Sequence, residues 1–466
     1  MKLRTILLLV SCLVFCMSEA QPLAGRLDTF ISSSELLKTS EVGISVYDLT
    51  EGKTVYTYQD QKLYRPASIE KIITSVTALS VLGSDYQYQT HLAYTGDISG
   101  DSILHGDLYV VGGFDPEFME EDMVRLAEAV QHAGIRHIEG SLVGDVSMTD
   151  SVYWGPGWSW DDTPYYFQPY LSPLMLNRGC VNVTVIPGEK GGRPIVKVHP
   201  ESDYYTVDNQ AESYVIGAGK LNVTRNWLSN GNIIRVEGNV NRRTTETLNL
   251  YSSEDFFMHT FAYQLKKRGI SFRKMAYGLC PESSKGFYTC SRPFLSVLER
   301  ALKKSDNLSA ESIFYSLAAV KSDKPFVGSK DAQKVIYQFM KDSIGYMPER
   351  YNIVDGSGVS LYNYISPDLL MEYLKYAYSR KDIFMFLYNA LPIAGVDGTL
   401  CYRMRRGKPF RNVRAKTGTV MGVSSLAGYV KTSGKHLLAF VIINQNALNG
   451  KETRLFQDKI CEILSD

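Results

Sequence analysis

Apolar and polar positions near both ends of the chain follow patterns typical of β-hairpins. Near the N-terminus, a β-type run at residues 42–49 is followed by a turn and a second run at 54–58. Near the C-terminus, similar runs at 427–431 and 437–443 flank another short turn. We therefore predict a single antiparallel sheet that is built from both ends of the chain.

The segment after Pro66 has apolar residues at helical spacing. They are Ile72, Val76 and Leu79. Because proline suits the turn that enters a helix, we predict a helix with Ser68 at or near its N-terminus. Lys71 then lies one turn further on, on the same face. A second helix is predicted over residues 452–464, near the end of the sequence.

Composition and charge are those of an ordinary soluble globular protein, with 44% hydrophobic and 21% charged residues. A chain of 466 residues is too long for one ordinary core, so we expect two or three domains. The formal net charge of +1 provides no basic excess. We therefore do not expect nucleic acid as a partner.

The N-terminus has the layout of a secretory signal peptide. Residues 1–5 are short and basic, residues 6–17 are mostly apolar, and small residues at 18 and 20 suit a signal peptidase. Cleavage after Ala20 is predicted, and no later run is long enough for a transmembrane anchor. We therefore expect a periplasmic or secreted protein. Residues 9–12 resemble a lipobox, which leaves a lipid anchor at Cys12 as an alternative.

Three short motifs carry the candidate chemistry. Ser68 and Lys71 form a Ser-x-x-Lys pair, which places an amine and a helix N-terminus beside a serine nucleophile. Downstream lie Ser305-Asp306-Asn307 and Lys416-Thr417-Gly418. Taken singly, these motifs also describe a surface helix, a helix cap and a strand end. In this order, the three are the signature set of serine β-lactamases and penicillin-binding proteins.

The contexts of these motifs resemble the low-molecular-mass (class C) penicillin-binding proteins of the D-Ala-D-Ala carboxypeptidase/endopeptidase type, also called the penicillin-binding protein 4 type. The resemblance spans nearly the whole mature chain and includes residues 109–116, 157–162, 355–358 and 391–400. It implies an α/β (α+β) fold in which an antiparallel sheet flanked by helices joins a helical lobe. It also implies a serine hydrolase that acts on peptidoglycan stem peptides, forms an acyl-serine and is acylated by penicillin.

A long insertion separates the first motif from the second. Ser68 and Ser305 must converge on one pocket, yet 236 residues lie between them. The resemblance implies that such an insertion forms two small domains, one nested in the other. We therefore predict four parts: a signal peptide at 1–20, a catalytic domain at 21–87 plus 291–466, an inserted domain at 88–167 plus 241–290, and a nested β-rich domain at 168–240.

The resemblance assigns catalytic roles to five side chains. Ser68 attacks the carbonyl of the penultimate D-alanine, and Lys71 accepts its proton. Lys71 must be neutral for this, so we expect its pKa to be lowered by burial and by the charge of Lys416. Ser305 passes a proton to the leaving amine, and Asn307 hydrogen-bonds the substrate backbone.

Further residues are expected to bind substrate. Thr417, Gly418 and Thr419 form a strand at the cleft edge that meets the terminal carboxylate, and the N–H groups of Ser68 and Thr419 form the oxyanion hole. In the resembled family, residues matching Trp158, Asp161 and Tyr166 contact the stem-peptide side chain, although a structural turn is an equal alternative for Asp161. Relatives commonly carry arginine where this chain has Leu361, so stem-peptide recognition differs in detail.

Other functional classes receive less support. The seven histidines show no His-Glu-x-x-His or His-x-x-Glu-His spacing, so we expect no metal and no cofactor. A β-lactamase-like hydrolase and a catalytically silent peptidoglycan-binding or sensor protein remain alternatives. Cys280 and Cys290 flank a short segment and are either bridged by a disulfide or free as buried thiols.

Overall fold

The computed structural model describes residues 22–466. The predicted signal peptide and Cys12 lie outside this range. Within it, no helix combines the length and the apolar character that crossing a bilayer requires.

The α-helices of the described range are α1 Leu23–Ser32, α2 Lys71–Val81, α3 Glu120–His132, α4 Ser253–Lys267, α5 Phe294–Lys303, α6 Asn307–Lys321, α7 Ser329–Phe339, α8 Pro367–Ser379, α9 Lys381–Ala390 and α10 Gly450–Leu464. Short 3₁₀ helices occur at Glu35–Lys38, Ala67–Glu70, Trp160–Asp162, Asn177–Gly179, Trp227–Ser229, Pro348–Arg350 and Gly398–Leu400. A π-helical turn, Met340–Ile344, extends α7.

The strands are β1 Glu41–Asp48, β2 Lys53–Tyr58, β3 Gln87–Tyr94, β4 Asp97–Ile98, β5 Ile103–His105, β6 Leu108–Val111, β7 His137–Asp145, β8 Cys180–Ile186, β9 Ile195–His199, β10 Thr206–Asn209, β11 Glu212–Ser213, β12 Asn222–Arg225, β13 Ile233–Glu237, β14 Asn239–Val240, β15 Thr244–Asn249, β16 Ser271–Tyr277, β17 Lys285–Pro293, β18 Arg414–Val420, β19 Val423–Lys431 and β20 Leu437–Gln445.

Both ends of the chain meet in one antiparallel sheet with the strand order β18-β19-β20-β1-β2. β1 pairs with β20 along its whole length, from Glu41 opposite Gln445 to Asp48 opposite Leu438. β19 and β20 are buried almost throughout, because α1 and α10 cover one face of the sheet and α8 covers the other. The predicted sheet from both chain ends is confirmed, and so is the predicted C-terminal helix.

Helix α2 runs through the centre of the helical lobe. Its apolar side chains point in every direction and are fully buried, as expected for a helix surrounded by protein. They include Ile72, Ile73 and Val76. The helix predicted after Pro66 is confirmed, and its N-terminal end carries Lys71.

The long insertion contains sheets of its own. β3–β7, β16 and β17 form a seven-stranded mixed sheet, against which α3 and α4 pack through a second core. Residues 180–249 form three smaller sheets of two or three strands each. The boundaries of the two inserted domains stay predictions.

Cys280 and Cys290, for which the sequence left a disulfide and free thiols as alternatives, are both free thiols. Cys180, Cys401 and Cys461 are free as well. The Cys290 thiol is buried and donates to Asp122 Oδ1 at 3.5 Å. Cys280 is partly exposed and donates its backbone N–H to Asp145. Of the two alternatives, the disulfide is therefore not formed.

Candidate active site

Ser68 lies in the 3₁₀ turn Ala67–Glu70 that leads directly into α2. The preceding residue, Ala67, has a φ of 50°, which is unfavourable for a residue with a side chain. Such backbone strain is typical of functional sites, where the surrounding structure holds it in place. The turn brings the Ser68 hydroxyl to the face of α2 that carries Lys71.

The Lys71 ammonium lies at the centre of a hydrogen-bond network. Its Nζ donates to Ser68 Oγ at 2.9 Å, to Asn307 Oδ1 at 2.9 Å and to the Ser357 carbonyl at 2.7 Å. The side chain is fully buried, and this burial lowers the pKa of Lys71 to about 8. The charges of Asp355 and Glu311 oppose that shift without cancelling it.

Lys416 supplies the second buried amine. Its Nζ donates to Ser305 Oγ at 2.7 Å and to the Thr417 carbonyl at 2.7 Å. Burial holds the pKa of Lys416 well below its usual range, and repulsion from Lys71 lowers it further. The sequence prediction named two causes for a lowered Lys71 pKa, burial and the charge of Lys416. In the structure, the dominant cause for Lys71 is burial, and the repulsion is felt at Lys416.

The Ser305-Asp306-Asn307 motif both caps a helix and supplies site groups. Asp306 is the N-cap of α6, where its carboxylate accepts the Ser309 N–H at 2.8 Å. This cap fixes Asn307 as the first residue of α6. The Asn307 side chain then accepts from Lys71 and donates from Nδ2 to the Phe167 carbonyl at 3.1 Å.

The Lys416-Thr417-Gly418-Thr419 segment lies on β18, as predicted, at the edge of the central sheet. Thr417 donates its hydroxyl to Thr399 Oγ1 at 2.7 Å. Gly418 packs tightly against the nucleophile turn, since a methyl group there would collide with Ser425 Oγ and lie 2.9 Å from the Ser68 backbone nitrogen. The backbone of β18 therefore approaches Ser68 as an oxyanion hole requires.

We expect Gly418→Ala to lower kcat/KM by about 100-fold, the effect of losing one oxyanion donor in other enzymes. The added methyl displaces Ser425, whose hydroxyl holds the Pro66 carbonyl at 2.6 Å, and thereby shifts the turn that carries Ser68. Steady-state hydrolysis of a D-Ala-D-Ala peptide measures the loss. Gly434→Ala is the matched control, because its new methyl would meet nothing closer than 3.5 Å. Equal activity of the two variants would contradict this account.

Three buried carboxyl groups lie next to Lys71, and sequence reasoning did not single them out. Asp355 accepts N–H groups from Gly358, Ser360, Asn363 and Trp158 at 2.7 to 2.9 Å. Glu311 accepts the Gly356 N–H, and burial raises its pKa to about 8. Glu70 is fully buried and its pKa is raised well above the usual range by burial. The Asp-Gly-Ser-Gly run at 355–358 was the only sequence indication of this cluster.

The insertion reaches the site through the segment 158–168. Trp158 Nε1 donates to Asp355 at 2.9 Å, which joins this indole to the carboxyl cluster around Lys71. Tyr166 and Phe167 line a cavity of about 380 Å³ together with Ser305 and Asn307. Asp161 is exposed and accepts the Ser159 hydroxyl. Of the three residues expected from the insertion, Tyr166 shares a cavity with Ser305 and Asn307, and Trp158 contacts Asp355.

Leu361 occupies the place where relatives commonly have arginine. Its carbonyl accepts from Arg65 Nε at 3.1 Å, and the Arg65 guanidinium lies 5.7 Å from the centre of the Tyr364 ring. A cation is thus present next to Leu361, although it comes from the segment that precedes Ser68.

The chain is similar to known proteins over nearly its whole described length. Residues 23–466 match the model of the D-Ala-D-Ala carboxypeptidase 3 (S13) family. The D-alanyl-D-alanine carboxypeptidase DacB of Haemophilus influenzae is 25% identical over 98% of this chain and 95% of its own length. The D-alanyl-D-alanine carboxypeptidase of Actinomadura sp. is 28% identical over 91% of this chain and 81% of its own.

Solved structures give the same result for the fold. The crystal structure of penicillin binding protein 4 (dacB) from Haemophilus influenzae superposes with a TM-score of 0.79 at 25% identity, and covers 91% of this chain and 95% of that one. Another crystal structure of that protein contains a β-lactam. The predicted fold class and the family resemblance are confirmed.

Proposed function

Because this chain belongs to the D-Ala-D-Ala carboxypeptidase 3 (S13) family, it is a serine-type D-Ala-D-Ala carboxypeptidase, and we propose that it cleaves peptidoglycan stem peptides through an ester of Ser68. The observation that carries this assignment is the buried Lys71 amine, whose pKa is about 8, at 2.9 Å from Ser68 Oγ. A neutral amine at this distance is a competent base for a serine hydroxyl.

Acylation follows from the positions of these groups. Neutral Lys71 accepts the Ser68 proton while Oγ attacks the carbonyl carbon of the penultimate D-alanine. The N–H groups of Ser68 and Thr419 bind the resulting oxyanion. As the C–N bond breaks, Ser305 donates a proton to the departing D-alanine amine and recovers one from Lys416, to which it is hydrogen-bonded. Water then attacks the ester carbonyl and gives up a proton that restores Lys416, while Lys71 returns its proton to Ser68 Oγ as the C–O bond breaks.

Substrate recognition uses the two sides of the cleft. On the β18 side, Thr417, Gly418 and Thr419 meet the terminal carboxylate. On the other side, Asn307 Nδ2 releases the Phe167 carbonyl and donates its hydrogen bond to the substrate backbone instead. Residues Trp158, Asp161 and Tyr166 contact the third residue of the stem peptide.

The same acyl-serine serves two related reactions. When a β-lactam acylates Ser68, the expelled amine stays tethered to the opened ring. Cleavage of a D-alanyl cross-link instead releases the amine of the acceptor peptide, just as cleavage of a stem pentapeptide releases D-alanine. We therefore include endopeptidase activity on cross-linked peptides and covalent inhibition by penicillin in the proposal. The predicted signal peptide and the proposed substrate both support a periplasmic or secreted location.

The experiment that tests the function measures D-alanine release from a pentapeptide stem, and monomer release from a cross-linked dimer, by liquid chromatography. We expect both products with the wild-type protein and neither after prior incubation with benzylpenicillin. Undiminished release after complete acylation of Ser68 would contradict the proposal.

We expect the acylation rate of the wild-type protein to rise with pH, with a midpoint near pH 8. The base is the neutral form of Lys71, so each pH unit below its pKa reduces the active fraction about tenfold. The second-order rate constant for benzylpenicillin, measured by stopped flow between pH 6 and pH 9, reports this dependence. A rate that is flat or falls across this range would exclude Lys71 as the base.

A further inference from the structure

A second cavity, of about 290 Å³, shares no lining residue with the cavity at Ser305 and Tyr166. Its walls come from the insertion and contain all four tryptophans of the chain. The lining residues are Trp154, Trp158, Trp160, Thr163, Gln168, Tyr170, Trp227, Leu228 and Asn230. We call it the tryptophan cavity.

Large apolar side chains at its rim remain open to solvent. Trp160 is 71% exposed and Leu228 is 77% exposed. The Trp160 ring packs on Trp227 with 5.7 Å between centroids, so the two indoles form one aromatic surface. Exposed apolar patches of this kind usually mark binding sites, because leaving them hydrated forgoes favourable burial.

One buried polar atom in the wall also lacks a partner. Gln168 is only 2% exposed, and its Nε2 donates to the Ser159 carbonyl at 2.9 Å. Its Oε1 accepts no hydrogen bond from any residue of the range 22–466. A buried acceptor left unpaired costs free energy, and turning the Gln168 amide toward a ligand O–H or N–H in the cavity recovers it.

The lining contains no charged side chain. This excludes a good fit for the carboxylates and the ammonium group of a stem peptide, since an unpaired charge is costly in an aromatic cavity. A pyranose ring fits better, because it combines an apolar C–H face for the indoles with hydroxyl donors at its edge. An N-acetyl substituent adds an amide N–H for Gln168 and a methyl group for the aromatic wall.

We propose that the tryptophan cavity binds one N-acetylhexosamine ring of the glycan strand that carries the stem peptide. This inference rests on the proposed function, which supplies a substrate whose peptide is joined to such a sugar.

The positions of the two sites support this assignment. Trp158, in the cavity wall, donates to Asp355 beside the catalytic lysine, and Gln168 directly follows Phe167, whose carbonyl accepts from Asn307. One segment therefore forms a wall of the sugar site and contacts the catalytic site.

Direct binding is measured by intrinsic fluorescence, since every tryptophan of the chain lines this cavity. Titration with the β-1,4-linked disaccharide of N-acetylglucosamine is expected to give a saturable spectral shift in the wild type and equally in Ser68→Ala. Trp160→Ala is expected to weaken binding about tenfold, and Trp160→Phe to restore most of it. Absence of a saturable shift in the wild type would overturn the inference, whether or not the protein hydrolyses peptides.

Kinetics provide the second test. We expect Trp160→Ala and Trp227→Ala to lower kcat/KM about tenfold for a disaccharide-pentapeptide and to leave the free pentapeptide and benzylpenicillin unaffected. Tyr214→Ala, which removes an exposed aromatic ring elsewhere in the nested region, is the matched control. An equal loss on both peptides, or no loss on either, would overturn the sugar assignment. A wild type that binds the disaccharide but releases no D-alanine would refute the proposed function instead.

Discussion

The Ser68→Ala variant is expected to take up no benzylpenicillin, whereas the wild-type protein gains the mass of one drug molecule at Ser68. The reason is that, among residues 22–466, Ser68 has the only hydroxyl that lies within hydrogen-bond distance of Lys71 Nζ. Intact-protein mass spectrometry followed by peptide mapping measures the adduct and its position.

Ser379→Ala is the matched control, since its exposed hydroxyl lies at the end of α8 and bonds only the Tyr376 carbonyl. It should be acylated like the wild type. All three proteins should unfold at the same temperature, which excludes misfolding as the cause of a missing adduct. A stoichiometric adduct on Ser68→Ala, or an adduct mapped to another residue of the wild type, would remove Ser68 from the role of nucleophile.

The Lys71→Ala variant should acylate about 100- to 10,000-fold more slowly than the wild type, which is the range that general bases contribute. At 1.36 kcal/mol per tenfold, the barrier rises by about 3 to 5 kcal/mol. The loss arises because no other group of the network accepts the Ser68 proton in place of the amine. Stopped-flow acylation by a fluorescent penicillin measures the rate constant.

Two comparisons separate a lost base from a damaged site. Lys330→Ala removes an exposed lysine of α7 and should leave the rate unchanged. Lys71→Arg retains a cation of similar length but cannot become neutral, so it should be as slow as Lys71→Ala. If the arginine variant acylated at the wild-type rate, the role of Lys71 would be electrostatic only.

Much of the fold was readable from local patterns. Apolar β-type runs on either side of short turns predicted the terminal hairpins and hence the central sheet. Apolar residues at helical spacing after Pro66 predicted α2. The motif order brought Ser68, Lys71, Ser305 and Lys416 into one site before any contact was known.

Other features depend on tertiary contacts that no local pattern encodes. The positive φ of Ala67 is imposed by neighbouring strands and loops, since alanine has no preference for it. Glu70 and Glu311 look like ordinary helix-surface residues in the sequence. In the structure, Glu70 just before α2 and Glu311 within α6 are both completely buried. The bond from Asn307 to the Phe167 carbonyl joins segments 140 residues apart. Burial was predicted as one cause of the lowered Lys71 pKa, but only the structure shows that it is the dominant one.

The pairing of β1 with β20 also governs when the enzyme becomes active during its own synthesis. Ser68 and Lys71 emerge from a ribosome or a translocation channel before β18, β19 and β20, which follow only after the long insertion and the helices α5 to α9. Contacts between such distant segments form slowly, since a long loop must close first. A nascent chain therefore carries Ser68 and Lys71 without Lys416 or the β18 backbone that packs against the Ser68 turn. The topology leaves the proposed site incomplete until β18 has been made and has joined the sheet.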